Sequence, residues 1–236
     1  MNDPLPLVIA NLKANKTWDE MSLWLEIIGP KASEFAGTII VCPTAAFLVA
    51  SSQKIKSAGW RLNLGTQDIS KFEQGAYTGE IAASQIANIA PYAVIGHSER
   101  RKYFQETPVD VITKAKLLIS AGLNPILCVG DLELLDQYLA IDDTLKKNAS
   151  KIIFVYEPPS AISGGGAYRP DDPGDANVRA GQFGEKIGEK IVVLYGGSIN
   201  PENSQEFFHQ ENIDGGLVGQ ASLEPQKFNQ ILSSAA

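Results

Sequence analysis

The sequence predicts an α/β chain whose eight strands close into a parallel (β/α)8 barrel, and three observations lead there. Apolar runs of strand length recur eight times, each apolar almost throughout, as strands covered on both faces are. Segments of helical period separate them, with no linker or low-complexity stretch between. The chain's 236 residues match eight strand–helix units in a single domain spanning 1–236. An open doubly wound sheet is the competing architecture. It favours a glycine-rich turn after the first strand, whereas here that strand runs into Ala10-Asn11-Leu12-Lys13.

In chain order the runs are LPLVIA at 5–10, TIIVC at 38–42, RLNLG at 61–65 and YAVIG at 92–96. They continue with NPILCV at 124–129, IIFVY at 152–156, IVVLY at 191–195 and GLV at 216–218. The clearest helix between them is TPVDVITKAKLLISAG, residues 107–122. Thr107 caps it, Pro108 suits its first turn and Gly122 ends it. NPENSQEFF at 200–208 repeats the start signal with Asn200 and Pro201.

Composition excludes several function classes. A hydrophobic fraction of 44% is ample for a sizeable core. Twenty basic against 27 acidic residues give a net charge of −7, which argues against nucleic-acid or anionic-membrane binding. Such a protein holds an anion only locally, with backbone amides or one or two lysines. The two cysteines, Cys42 and Cys128, sit in apolar runs and suit a reducing compartment better than a disulfide framework. The first ten residues lack the basic segment of a signal peptide, and no run reaches the roughly 18 apolar residues of a membrane span. These features predict a soluble, cytoplasmic protein.

Barrel chemistry sits where strands end. The first strand delivers Asn11 and Lys13. The fourth opens into GHSERR, where His97 meets the positive end of a helical turn, which favours neutral imidazole. His209 lies on the polar face of SQEFFHQ and is assigned nothing. The sixth strand drives Glu157 to the barrel mouth, where desolvation disfavours its charge and suits a general base. The seventh and eighth end in YGGS and GGLVGQASL, whose small residues let backbone amides approach an anion. No Asp–His cluster has metal spacing and no Ser–His–Asp arrangement is suggested. One cation, one imidazole, one carboxylate and one anion cradle suit proton transfer beside a carbonyl on a small phosphorylated molecule.

These motifs together resemble the triosephosphate isomerase family from end to end. The match rests on NLK at 11–13, GAYTGE at 75–80, GHSERR at 96–101 and CVGD at 128–131, then YEP at 156–158, YGGS at 195–198 and LVGQASL at 217–223. The resemblance implies cofactor-free interconversion of dihydroxyacetone phosphate and glyceraldehyde 3-phosphate through an enediolate. It carries the family's known division of labour, with Glu157 as base and neutral His97 as electrophile. It further implies Lys13 as stabilising cation, with Asn11 and Glu99 in support. Ser198, Gly219 and Gln220 fall where amides grip phosphate, provided that Gln220, at a position commonly glycine, takes the backbone angles required. A homodimer is implied, its 75–80 loop plugging in with Thr78 near the tip, beside the partner's Asn11 and Lys13.

The segment FVYEPPSAISGGGAY, 154–168, departs most from the family. Its near hinge is Pro158-Pro159-Ser160 without the usual tryptophan, and its tip is Ala161-Ile162-Ser163. Its far hinge is Gly164-Gly165-Gly166. The resemblance implies a lid, with Ile162 closing over the carboxylate together with Leu217 and Ser163 at a phosphate-contacting position. Leu12 replaces an aromatic often found there. Two other readings stay open on the residues alone. An aldolase using Lys13 as a Schiff base needs an apolar pocket, against which the nearby Glu99 and Glu157 argue. A barrel kept only as a binding protein is opposed by the presence of Lys13, His97 and Glu157 together.

Overall fold

The computed structural model describes residues 3–161 and 170–235. Its strands are β1 (Leu7–Asn11), β2 (Thr38–Cys42), β3 (Asn63–Thr66), β4 (Tyr92–Ile95), β5 (Asn124–Val129), β6 (Ile153–Tyr156), β7 (Val192–Tyr195) and β8 (Gly215–Val218). Each pairs in parallel with the next, and β8 returns to β1, closing the barrel. The described helices are α1 (Trp18–Glu34), α2 (Leu48–Ala58), α3 (Ala83–Ile86), α4 (Ser98–Tyr103) and α5 (Pro108–Ser120), then α6 (Leu132–Ile141), α7 (Thr144–Lys147), α8 (Pro173–Ile187), α9 (Ser204–Phe208) and α10 (Pro225–Ser234). None of them is long and apolar enough to cross a membrane.

The unbroken apolar runs are explained by two cores. Leu7, Ile9, Ile40, Val94, Ile126, Ile153, Val155 and Leu194 fill the barrel interior. The alternate residues Val8, Ala10, Val41, Ile95, Leu127 and Phe154 pack outward with the helices. Both side-chain sets of one strand are therefore buried, and no polar face is left to mark the period of two. Closure at β8 needs glycine. Gly215 has φ 140°, and a Cβ there would lie 2.0 Å from the Leu7 carbonyl oxygen.

Caps fix where several helices begin. Thr17 and Glu20 form a reciprocal capping box on α1, as Thr107 and Asp110 do on α5, with Pro108 at its first position. Gly122, at φ 74°, follows the end of α5 as expected. The expectation at 200–208 is corrected: Asn200 caps only a turn, its Oδ1 accepting from the N–H groups of Glu202 and Asn203, and α9 begins at Ser204.

A group of charges packs against α4, with Lys114 and Glu106 buried and Asp68 and Arg100 half-buried. Lys114 Nζ lies 2.6 Å from Asp68 Oδ1 and also pairs with Glu106, while Arg100 Nε lies 2.9 Å from Asp68 and 3.2 Å from Glu106. Burial pushes the Asp68 carboxyl up to about 6, against the opposing pull of Lys114 and Arg100.

Candidate active site

The C-terminal ends of the strands surround one cavity, lined by Asn11, Lys13, His97, Glu157, Ala161, Ser198, Leu217, Gly219 and Gln220 together with Gly196, Gly197 and Ile199. Eight residues expected from the sequence thus meet in one place. Glu99 joins them indirectly through Lys13. Thr78 does not: it sits on the exposed 75–80 loop. Ile162, Ser163 and the Gly164–Gly166 hinge lie outside the described residues.

The β1 end is held by short polar contacts. Lys13 adopts φ 51°, a left-handed conformation uncommon outside glycine. Its N–H donates to Asn11 Oδ1 at 3.1 Å, and its carbonyl accepts from Gln67 Nε2 at 2.8 Å. Gln67 Nε2 also donates to the Cys42 carbonyl, tying β1 to the end of β2. Lys13 Nζ donates to Glu99 Oε1 at 2.5 Å, so the cation is fixed at both ends of its side chain.

His97 caps α4. The Glu99 N–H donates to its Nδ1 at 3.2 Å, which leaves the ring's single proton on Nε2. Nε2 in turn lies 3.2 Å from Glu157 Oε1. The helix turn thereby selects the neutral tautomer and aims its donor into the site.

Glu157 continues β6 by donating its N–H to the Val129 carbonyl at 2.8 Å, and it is only 1% exposed. The sequence predicts a carboxylate disfavoured by desolvation. The structure buries it and then replaces the lost water with protein donors. Ser98 N–H donates to Oε2 at 2.8 Å, Ser98 Oγ donates to Oε1 at 2.6 Å, and Arg101 Nη2 stands 3.9 Å from Oε2. Both oxygens are engaged, so the carboxylate is parked beside the cavity.

The opposite wall is built from small residues with no room to spare. A Cβ on Gly196 would meet Val155 at 2.4 Å, and one on Gly197 would meet Tyr195 Oη at 2.2 Å. A Cβ on Gly219 would sit 3.3 Å from Lys13 Cε. Backbone therefore approaches anything placed between them. Gln220 is not among the positive-φ residues, so glutamine meets the backbone requirement set for it. Ser198 Oγ donates to the Ala161 carbonyl at 2.8 Å, and Pro159–Ala161 form a 3₁₀ turn, so the near hinge is anchored to the cradle. Leu217 is buried in the barrel interior and lines the cavity floor.

Sequence reasoning missed Ser98, Arg101 and Gln67. Ser98 and Arg101 lie inside GHSERR, but nothing in one strand-end motif says that both reach a carboxylate more than fifty residues away. Gln67 follows the end of β3, and its proximity to Asn11 and Lys13 once the barrel closes was the available signal.

Comparison with known proteins places this architecture. A family model described as triosephosphate isomerase matches residues 6–235. The chain is 36% identical to the triosephosphate isomerase of Rubrobacter xylanophilus over 98% of its own length and 97% of the relative's. It is 36% identical to that of Thermus thermophilus, covering 97% and 98% of the two chains. The crystal structure of triosephosphate isomerase from Bartonella henselae superposes with a TM-score of 0.83 at 28% identity, covering 97% and 98%.

Proposed function

From the premise that the chain belongs to the triosephosphate isomerase family, we propose that it interconverts dihydroxyacetone phosphate and D-glyceraldehyde 3-phosphate at the cavity lined by Lys13, His97 and Glu157. The observation that carries this reading is the convergence of a buried carboxylate, a neutral imidazole with its proton on Nε2 and a fixed ammonium on one glycine-walled pocket.

Geometry and chemistry suggest the order of events. Phosphate occupies the wall made by Ser198, Gly219 and Gln220, and Lys13 draws the dianion into an otherwise acidic protein. Glu157 leaves Ser98 and takes a proton from the carbon beside the carbonyl. The electron pair of that C–H bond becomes the new C=C bond while the carbonyl π pair moves onto its oxygen, giving the enediolate. Nε2–H of His97 and the Lys13 ammonium stabilise the developing charge. His97 then gives its proton to one enediolate oxygen and recovers one from the other, while Glu157 returns its proton to the neighbouring carbon. Nothing is consumed. Lys13, paired to Glu99, serves as a cation, so the Schiff-base alternative has no support from the geometry.

The single chain 1–236 works as one catalytic domain, and a second copy completes it. The 75–80 loop is fully exposed, with Tyr77 stacked on Phe72 at 4.1 Å. Tyr103, Phe104 and Val109 are each about 60% exposed, an apolar surface suited to a second copy. Two free buried cysteines suit the reducing cytoplasm. The test is a coupled isomerase assay on purified protein, run in both directions beside sedimentation. Turnover of both trioses by a dimer is expected. A purified, folded protein without turnover overturns the activity, and a fully active monomer overturns the dimer.

A further inference from the structure

Arg101 belongs to neither the expected catalytic set nor the cavity lining, yet its guanidinium meets three strand ends. Nη1 donates to the carbonyl of Gly96, the residue before His97, and lies 3.4 Å from the Cys128 carbonyl on β5. Nη2 stands 3.9 Å from Glu157 Oε2 at the end of β6. The surrounding backbone is shaped around this fork. Gly96 has φ 66°, and a Cβ on Gly130 would lie 3.4 Å from Nη2. Arg101 is only 19% exposed in its side chain, so its charge acts across little water.

We propose that Arg101 is a positioning residue for the isomerisation, keying the carbonyl behind His97 and the carboxylate of Glu157 to one rigid guanidinium. The fork suits the task because its several N–H groups lie in one plane and serve different acceptors at fixed angles. When Glu157 leaves Ser98, it gives up two hydrogen bonds. A guanidinium that stays bound to backbone remains behind it and limits how far the carboxylate can stray. A misplacement of about 1 Å is enough to cost on the order of a hundredfold in rate.

This inference rests on Glu157 as the base, and the experiment separates the two. Arg101→Gln and Arg101→Lys are compared for kcat, KM, phosphoglycolate affinity and pH profile. Among the described residues, the groups facing the Glu157 carboxylate are Ser98, His97 and Arg101, with Cys128 and Tyr138 behind them. Removal of the one fixed cation among these is expected to move the acidic limb of kcat/KM to higher pH. Arg101→Gln is expected to lower kcat at least about tenfold with KM and phosphoglycolate affinity changed less than about threefold. Arg101→Lys keeps the charge without the fork and is expected to lose less, with a smaller pH shift of the same sign, because one ammonium cannot hold the Gly96 carbonyl and face the Glu157 carboxylate at once. If Arg101→Gln does not fold, Arg101→Lys decides alone. Wild-type kcat and pH profile overturn the proposal, as does a loss that is uniform over pH or confined to KM. Failure of the base assignment looks different, since Glu157→Gln would then stay active whatever Arg101 does.

Discussion

Two buried charge sites flank the helix α4, and they are built in opposite ways. On one side Arg100 joins Asp68, Glu106 and Lys114, where two carboxylates face two cations and every ion touches its opposite. On the other side Arg101 faces Glu157, whose direct hydrogen bonds come from a serine amide and a serine hydroxyl, with the Arg101 guanidinium, among the described residues, at 3.9 Å. Consecutive residues on a helix project about 100° apart, so adjacent arginines serve the two sites from one turn. The first site is internally neutralised and has no reason to open. The second holds its carboxylate with neutral donors that it can leave, beside a cavity that it can enter. Burial alone does not distinguish the proposed base from a structural carboxylate; the chemistry of its partners does.

Substitutions can break this comparison at either end, and the largest effect is expected at the proposed base. Glu157→Gln keeps the shape and removes the base. Turnover in the coupled assay is expected to fall on the order of a thousandfold with the protein still folded and phosphoglycolate still bound. Turnover near wild type would remove Glu157 from the role of base.

At the structural site the expected loss is stability. Lys114 is 4% exposed, and Lys114→Met leaves the buried Glu106 and the half-buried Asp68 with Arg100 alone. Urea denaturation is expected to show a loss of about 3 kcal/mol, the lower end for breaking a buried pair. A loss below about 1 kcal/mol would mean that the cluster is wetter than its burial indicates.

The smallest effect sharpens the contrast within the cluster. Burial pushes the folded-state carboxyl of Asp68 up to about 6, above the usual carboxylate range. A raised value means that the folded state holds the proton more tightly. That stabilisation is present at low pH and is lost as pH rises through about 6. Asp68→Asn keeps a neutral side chain at every pH. Its stability relative to wild type is expected to improve between pH 4 and pH 7 by on the order of 1 kcal/mol. A difference that stays flat across this window would show that Lys114 and Arg100 fully offset the burial of Asp68.

The same contrast explains what was legible in the sequence. The strands were, because residues such as Val8 and Ile9 are both buried and write an unbroken apolar run. That Lys13, His97 and Glu157 meet at one cavity was legible because a barrel gathers its strand ends at one mouth. The start of α9 was misread because Asn200 and Pro201 carry the same signal for a turn as for a helix. Ser98 and Arg101 were visible as letters but not as partners of Glu157. Their roles depend on which way each side chain leaves a short helix after the barrel has closed, and that is set by the pairing of β4 with β5 and of β5 with β6.

The most direct test of the distinction is a crystal structure of the protein with 2-phosphoglycolate bound. The contact between Ser98 Oγ and Glu157 Oε1, 2.6 Å here, is expected to open beyond about 3.5 Å as the carboxylate turns to the ligand. The Lys114–Asp68 contact, also 2.6 Å, is expected to stay closed. A ligand seated in the cavity with Glu157 still on Ser98 would contradict the account.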